Sequence, residues 1–440
     1  MTKRVSIVGA GLAGSEAAWQ LANRGVAVDL YEMRPATNTP AHRTENFAEL
    51  VCSNSFRSSE PVSAVGLLKE ELRKLGSLIL DVADATAVPA GKALAVDREL
   101  FAQEVTDRLC THPNVFIHRE EVLSATALTK NGPVILATGP LTSPALAEEL
   151  RTLTHSDSLY FYDSLAPLIL TESIDMDKVF RAGRYDVSET EVGDYINCPM
   201  DQEQYDAFVA AVVASEKIEP KDFEKAIYFE GCMPIEVMAE RGPLTLRFGP
   251  MKGKGLTDPR TGRWPYAVVQ LRQDNRMGTV YNMVGFQTRM KWGEQAKILR
   301  TIPGLENAEI LRYGAMHRNM YVNSPTVLNE DHSLKVLPDI HLAGQMTGVE
   351  GYLESAASGF FVGTTVAAKL AGKAAQRPPL TTALGAMLNH VLHGNAKQFE
   401  PQNVNWGLFL PLTEDVPKSQ RKEAMLERAR TEFQRFNQKT

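Results

Sequence analysis

The sequence predicts an α/β chain. A parallel, nucleotide-binding sheet is contributed by both ends of the chain, and an α+β domain is inserted between them. Three observations carry this reading. A β-branched run passes into a glycine-rich turn and a helix within residues 5–22. Two further strand-and-glycine segments lie at 132–139 and 339–372. The stretch between them changes to a mixed composition that continues neither pattern.

The first element is "VSIVGAGLAGSEAAWQLANRGVAVDLYEMRP". Val5 to Val8 is a short apolar run of the kind a buried parallel strand requires. Gly9, Gly11 and Gly14, spaced by Ala10, Leu12 and Ala13, form G-x-G-x-x-G. The first glycine permits a sharp turn and the second a close approach of pyrophosphate to the backbone. The third permits tight packing of helix on sheet. Unpaired N–H groups and the helix dipole then face the phosphates. The helix ends near Asn23 to Gly25, and "VAVDLYE" follows as a second strand. Glu32 closes that strand, 18 positions after Gly14, where an acid accepts hydrogen bonds from ribose hydroxyls. The glycines alone are a weak signal; strand, helix and acid together make a Rossmann-like dinucleotide site.

"GPVILATG" is an apolar strand ending in Thr138-Gly139, and "DIHLAGQMTGVEGYLESAASGFFVGTTVAAKLAG" is a strand, a glycine turn and a small-residue helix. Both resemble the segments that return to the first sheet in Rossmann-like flavoproteins of the glutathione-reductase-like type. That resemblance implies FAD, with Gly139, Gly344, Gln345, Gly351 and Tyr352 at the cofactor. Gly348, Gly351, Ala356, Ala357 and Gly359 are expected to admit a flat ring. The helix N-terminus near Gly351 is expected to stabilise negative charge on reduced flavin. No second G-x-G-x-x-G follows a strand, so a nicotinamide reductant is expected to dock transiently. The expected divisions are 1–145 and 305–440 for the FAD-binding domain and 146–304 for the insertion.

At 440 residues the chain has room for roughly two or three domains. Its 44% apolar and 23% charged content is that of a globular protein, which excludes a disordered or membrane class. "LYFYDSLAPLIL" is too short to span a bilayer and carries Asp163 and Pro167. The N-terminus runs straight into the first strand without a leader, so a cytoplasmic protein with no membrane association is expected. The four cysteines (Cys52, Cys110, Cys198 and Cys232) contain no C-x-x-C. This excludes a dithiol pair or zinc knuckle, predicts no metal, and fits a reducing compartment. Cys110 and Cys198 read as small buried hydrophobes. Gly231 and Pro234 flank Cys232 and predict a strand end or turn. The C-terminal "RKEAMLERARTEFQRF" reads as an amphipathic helix docked on the FAD domain.

The formal net charge of −6 means that a polyanionic partner needs a local basic patch. One lies at Arg247, Lys252, Lys254, Arg260 and Arg263, set against Asp258 alone. Trp264 and Tyr266 follow and are placed to stack on bases. Arg289, Lys291 and Trp292 repeat the pattern. Such a surface suits tRNA or a polyglutamylated folate, although on charge alone a solvated face is the commoner outcome.

Several strings are more specific: "TPAHRTENFAELVCSNSFRS", "YFEGCMPIEVMAERGPLTLRFGPM", "LTDPRTGRWPYAVVQLRQDN", "YNMVGFQTRMKWGEQ", "MHRNMYVNSP", "AGQMTGVEGYLESAASG" and "PQNVNWGLF". Together they resemble the folate- and FAD-dependent tRNA (uracil-5-)-methyltransferase family, TrmFO, from the first strand to about Leu412. One departure is Gly253-Lys254, where the resemblance implies Pro-Val. The resemblance implies formation of 5-methyluridine in the tRNA T-loop. FAD is then reductant and methylene carrier, methylenetetrahydrofolate the carbon source and NAD(P)H the electron source. It assigns Cys232 as the thiolate that adds to uracil C6 and Cys52 as the thiol beside the flavin; the two roles are exchangeable at this level. Arg57 and Arg247 are candidates to lower a thiol pKa. The reading admits a monomer or a homo-oligomer. Three rivals remain in view: a related wobble-uridine modifying flavoprotein with a longer C-terminal helical region, a small-molecule flavin oxidoreductase, and an FAD-dependent tRNA-folding factor.

Overall fold

The computed structural model describes residues 4–39, 41–155, 159–164, 166–184, 193–218, 233–414, 416–417 and 419–438, with side chains outside the description at 159–164 and 316–318. Five parallel strands form the first sheet, in the spatial order Ile340–Leu342, Val134–Leu136, Arg4–Val8, Ala27–Tyr31, Val115–His118. Val8 pairs in register with Tyr31 on one side and Leu136 on the other, so three strands end level. Residues 5–8 are all buried, as in a parallel sheet covered on both faces. This is why the strand reads as a continuous run rather than an alternating one.

The helix Leu12–Ala22 crosses the long helix Tyr352–Leu370 at very close range. A Cβ on Gly359 would lie 2.1 Å from the Ala13 carbonyl oxygen, and one on Gly363 would lie 2.8 Å from that of Ala17. The small residues of this helix therefore serve helix crossing, which corrects the expectation that Gly359 admits a flat ring. Gly348 is corrected likewise: a Cβ there would lie 2.5 Å from the Phe399 ring. The terminal helix Arg421–Asn437 buries Leu426, Ala429 and Phe433 in the same body, and Arg430 pairs with Glu70 at 2.7 Å.

Six antiparallel strands form a second sheet, in the order Phe180–Arg181, Tyr195–Met200, Ala267–Gln273, Val280–Met283, Leu168–Leu170, Ile310–Arg312. Its core, which includes Ile169, Ile196, Leu271, Tyr281 and Phe286, is drawn from residues 169–308. The first core is drawn from residues 5–150 and 320–429. We propose an insertion close to the expected 146–304, with its limits moved by these clusters to between Leu150 and Ile169 at the start and between Arg312 and Met320 at the end. The strands Leu159–Ser164 and Met316–Tyr321 pair antiparallel where the chain leaves and re-enters.

Cys198 is fully buried in the second core, and burial pushes its thiol well up. Cys110 is exposed at the C-terminal end of the helix Arg98–Cys110, so its reading as a buried hydrophobe is corrected. No helix among the described residues is long and apolar enough to cross a membrane.

Candidate functional site

The three level strands of the first sheet end at a cleft, at the switch point where the strand order reverses. Gly9, Gly11, Leu12, Ala13, Glu32, Gly139, Gly344, Gln345 and Tyr352 line it. The three motif glycines differ in what surrounds them. No atom lies within 4 Å of a Cβ built on Gly11, so that side of the turn is open. A Cβ on Gly14 would lie 1.8 Å from the Gly9 carbonyl oxygen, so Gly14 holds the helix against the turn. Ala10 donates its N–H to Glu32 Oε2 at 3.1 Å, tying the turn to the end of the second strand. The other oxygen, Oε1, accepts from the N–H and Nε of Arg34 at 3.1 and 2.9 Å. Burial pushes the Glu32 carboxyl up, but the Arg34 hydrogen bonds outweigh it and hold the group below its ordinary value. The buried Arg34 also pairs with Glu49 at 3.0 Å. An open glycine at a helix N-terminus, an ionised acid beside it and an apolar wall fit the phosphates, ribose and ring of FAD.

Gly351 caps the N-terminus of the long helix without lining the cleft. A Cβ there would lie 2.5 Å from Glu354 Oε2 and 3.4 Å from Arg57 Nη2. Arg57 and Glu354 form an ion pair, with Glu354 fully buried. Lys69 is buried nearby and donates to the Ser58 carbonyl at 2.8 Å. Burial, reinforced by Arg57, pushes the Lys69 amine down to about 7.

Cys52 is half-buried on the segment that follows the lining residue Val51. Its main chain is held from two directions. The Tyr352 hydroxyl accepts from the N–H groups of Cys52 and Ser53, at 2.7 and 3.1 Å. Arg312 donates to the carbonyls of Val51 and Cys52, at 3.0 and 3.1 Å, and Arg98 donates to that of Leu50. Arg98 pairs with Asp274 at 2.9 Å, and Arg272 donates to Asn54 at 3.0 Å. Burial pushes the Tyr352 phenol up, so it stays protonated at neutral pH. Burial, then the neighbouring Arg98, pushes Arg312 down, yet a guanidinium stays charged. The cations at this segment are thus Arg98, Arg272 and Arg312. Arg57, expected here, is engaged by Glu354, and Arg247 lies over the Tyr266 ring at 4.0 Å. Cys232 lies outside the described residues.

The basic stretch divides in two. Arg260 makes a two-pronged pair with Asp258, at 2.7 and 3.0 Å, and Lys291 pairs with Glu216 at 2.6 Å. Arg289 sits 3.7 Å from the buried Glu236. These three are locally neutralised. Among the described residues, Lys252, Lys254 and Arg263 have no ion-pair partner, and Lys254 and Arg263 are exposed. Trp264, next to Arg263 in the chain, is exposed, as are Phe248 and Trp292, the last stacked on Tyr313 at 5.8 Å. One face of the Tyr266 ring is covered by Arg247, and Tyr205 stands in an edge contact with it at 5.6 Å, so stacking on that first face is closed. Gly253 fits its surroundings: a Cβ there would lie 2.1 Å from the Pro265 carbonyl oxygen.

Comparison with known proteins follows this geometry. The family model described as glucose inhibited division protein A matches residues 4–374. A Listeria monocytogenes protein named methylenetetrahydrofolate–tRNA-(uracil-5-)-methyltransferase TrmFO is 55% identical over 430 residues, 98% of each chain. The Geobacter sulfurreducens protein of the same name is 55% identical over 433 residues, again 98% of each. This chain belongs to the TrmFO family. The TrmFO protein of Halalkalibacterium halodurans matches 100% of this chain and 99% of its own at 53% identity. Among solved structures, Aquifex aeolicus GidA in two crystal forms gives TM-scores of 0.68 and 0.69 at 15% and 16% identity. These cover 99% of this chain and 74% and 76% of theirs, a likeness of fold.

For a TrmFO-family chain, the residues that sequence reasoning missed are Arg98, Arg312, Asp274 and the hydroxyl of Tyr352. "QLRQDN" and "ILRYGAM" place Arg272, Asp274 and Arg312 in or beside strands, without a motif. Arginines set inside the apolar runs "VVQLRQ" and "EILRYG" were the available signal, because a buried cation requires nearby acceptors.

Proposed function

We infer that this chain transfers the one-carbon unit of methylenetetrahydrofolate to C5 of a uridine in tRNA, forming 5-methyluridine, with FAD as cofactor and NAD(P)H as electron source. The observation that carries this is identity above half, end to end, with TrmFO proteins, in a chain whose first cleft has the shape and chemistry for FAD. The target uridine is in the T-loop and must leave its stack to be reached.

Uracil C5 is a weak nucleophile until a thiolate adds at C6. Cys232 is the proposed thiolate and Cys52 the proposed thiol on the flavin side. When bound, FAD supplies the electrons that turn a methylene unit into a methyl group. The balance is uridine, methylenetetrahydrofolate, NAD(P)H and a proton giving 5-methyluridine, tetrahydrofolate and NAD(P)⁺. On the protein side, the open face of Gly11 and the N-terminus of Leu12–Ala22 receive the phosphates. Glu32 receives the ribose, and Gly139, Gly344, Gln345 and Tyr352 line the ring end. Lys252, Lys254 and Arg263, with Trp264, are proposed to meet tRNA or folate; Arg247, Arg260, Arg289 and Lys291 act in support of that surface.

The test is direct. The purified protein is incubated with tRNA lacking the modification, methylenetetrahydrofolate and NADPH, and the digested RNA is read by mass spectrometry. 5-Methyluridine is expected, and its loss with Cys232→Ala. Flavin reduction without methyluridine would overturn the reading.

A further inference from the structure

The four residues Leu50–Ser53 form a loop whose main chain is bound by side chains from three remote places. The carbonyls of Leu50, Val51 and Cys52 accept from arginines, and the N–H groups of Cys52 and Ser53 donate to one tyrosine hydroxyl. Surface loops ordinarily leave such groups to water and gain mobility from doing so. Here these five main-chain groups all have protein partners.

The sources of these partners matter. Tyr352 opens the long helix beside the cleft. Arg98 opens the helix Arg98–Cys110 but is held by Asp274, the residue after the strand Ala267–Gln273 of the second sheet. Arg312 ends the edge strand Ile310–Arg312 of that sheet. Besides the two loop carbonyls, its guanidinium donates to the Ala166 carbonyl at 3.2 Å, in the stretch leading into the strand Leu168–Leu170. One planar cation thus spans three main-chain oxygens, two in the thiol loop and one in the stretch that leads into the second sheet. The rigid fork of a guanidinium holds these oxygens from separate nitrogens; a lysine ammonium carries its three donors on one nitrogen and fixes no such spacing.

We propose that Arg312 is a positioning residue through which the second sheet sets where the Cys52 thiol stands relative to the cleft. This rests on the role of Cys52 given above. A thiol set from one side by the helix bordering the cleft, and from the other by the second sheet, is placed relative to both at once. A displacement of about 1 Å at a reacting group costs on the order of a hundredfold in rate.

The experiment uses the flavin-loaded protein. Arg312→Ala is expected to lower kcat about a hundredfold while KM for tRNA and for methylenetetrahydrofolate stays within a few-fold. Flavin content is expected to be retained. Amide deuterium uptake is expected to rise in peptides covering 50–53 and to stay unchanged in those covering 4–31. Added guanidinium ion restores turnover to Arg312→Ala, and Arg312→Lys recovers little. Turnover and 50–53 uptake both close to the parent would overturn the proposal. So would a loss of turnover with uptake rising throughout and no rescue by guanidinium, which marks a general structural role. Cys52→Ala is measured in parallel. If that variant turns over normally, the role of Cys52 fails. If it is inactive while Arg312→Ala is not, the Arg312 proposal alone fails.

Discussion

Gly11 and Gly14 sit three residues apart and do unlike work. Gly11 has open space where a Cβ would stand, and φ of −69°, a value any residue adopts. Gly14 has the Gly9 carbonyl 1.8 Å from that point. Gly11→Val should therefore leave the fold intact, with circular dichroism of the parent, and give a colourless protein that no longer holds FAD. Gly14→Val should lower the melting temperature as well, because helix and turn must separate. A yellow Gly11→Val protein would remove the pyrophosphate from this turn. The spacing of the glycines made this site legible in the sequence, since the motif is local and its acid lies on the adjacent strand. The Cys52 clamp was not legible. Arg312 is 260 positions from the carbonyl it holds, and nothing near it in the chain announces a partner.

At the scale of elements, the basic stretch shows what a count of charges hides. Arg260 is neutralised by Asp258 within its own turn, which the sequence makes visible. Lys291 is neutralised by Glu216, 75 residues away, which only the fold reveals. Charge reversal at Lys252, Lys254 and Arg263 together should weaken tRNA binding. It should reduce the slope of log affinity against log salt by about one for each phosphate no longer neutralised. Lys291→Ala should change that slope little. Filter binding across a salt series checks both, and an unchanged slope in the triple variant would remove this loop from the tRNA surface. The small-residue helix gives a similar lesson. Gly359 was visible as a site of close approach, but the sequence could not say that Ala13 of another helix, rather than a ring, is what approaches.

At the scale of the whole molecule, stability carries a pH signature in two buried histidines. Burial pushes His332 and His341 down to about 4. His341 Nε2 lies 3.9 Å from Asp331, which Lys369 holds ionised against its own burial. An unfolded chain protonates its histidines near 6.5, so below that pH it takes up protons that the fold refuses. Stability is thus complete above about pH 6.5 and falls as pH drops toward 4, by up to about 3 kcal/mol for each histidine. Urea midpoints at pH 7.5, 6 and 5 should show that loss. It should shrink in the double variant His332→Asn, His341→Gln; asparagine suits the φ of 61° at position 332. An equal loss in both proteins would assign it elsewhere. The strand order of the first sheet has a different consequence, one of timing. Ile340–Leu342 completes the sheet beside Val134–Leu136, so a ribosome must add roughly two hundred residues between the two, about 10 to 40 seconds at its usual pace. Throughout that interval the strand Val134–Leu136 is a bare edge, the kind that invites pairing with other chains. The newborn protein is most open to aggregation in the interval before its cofactor cleft can close.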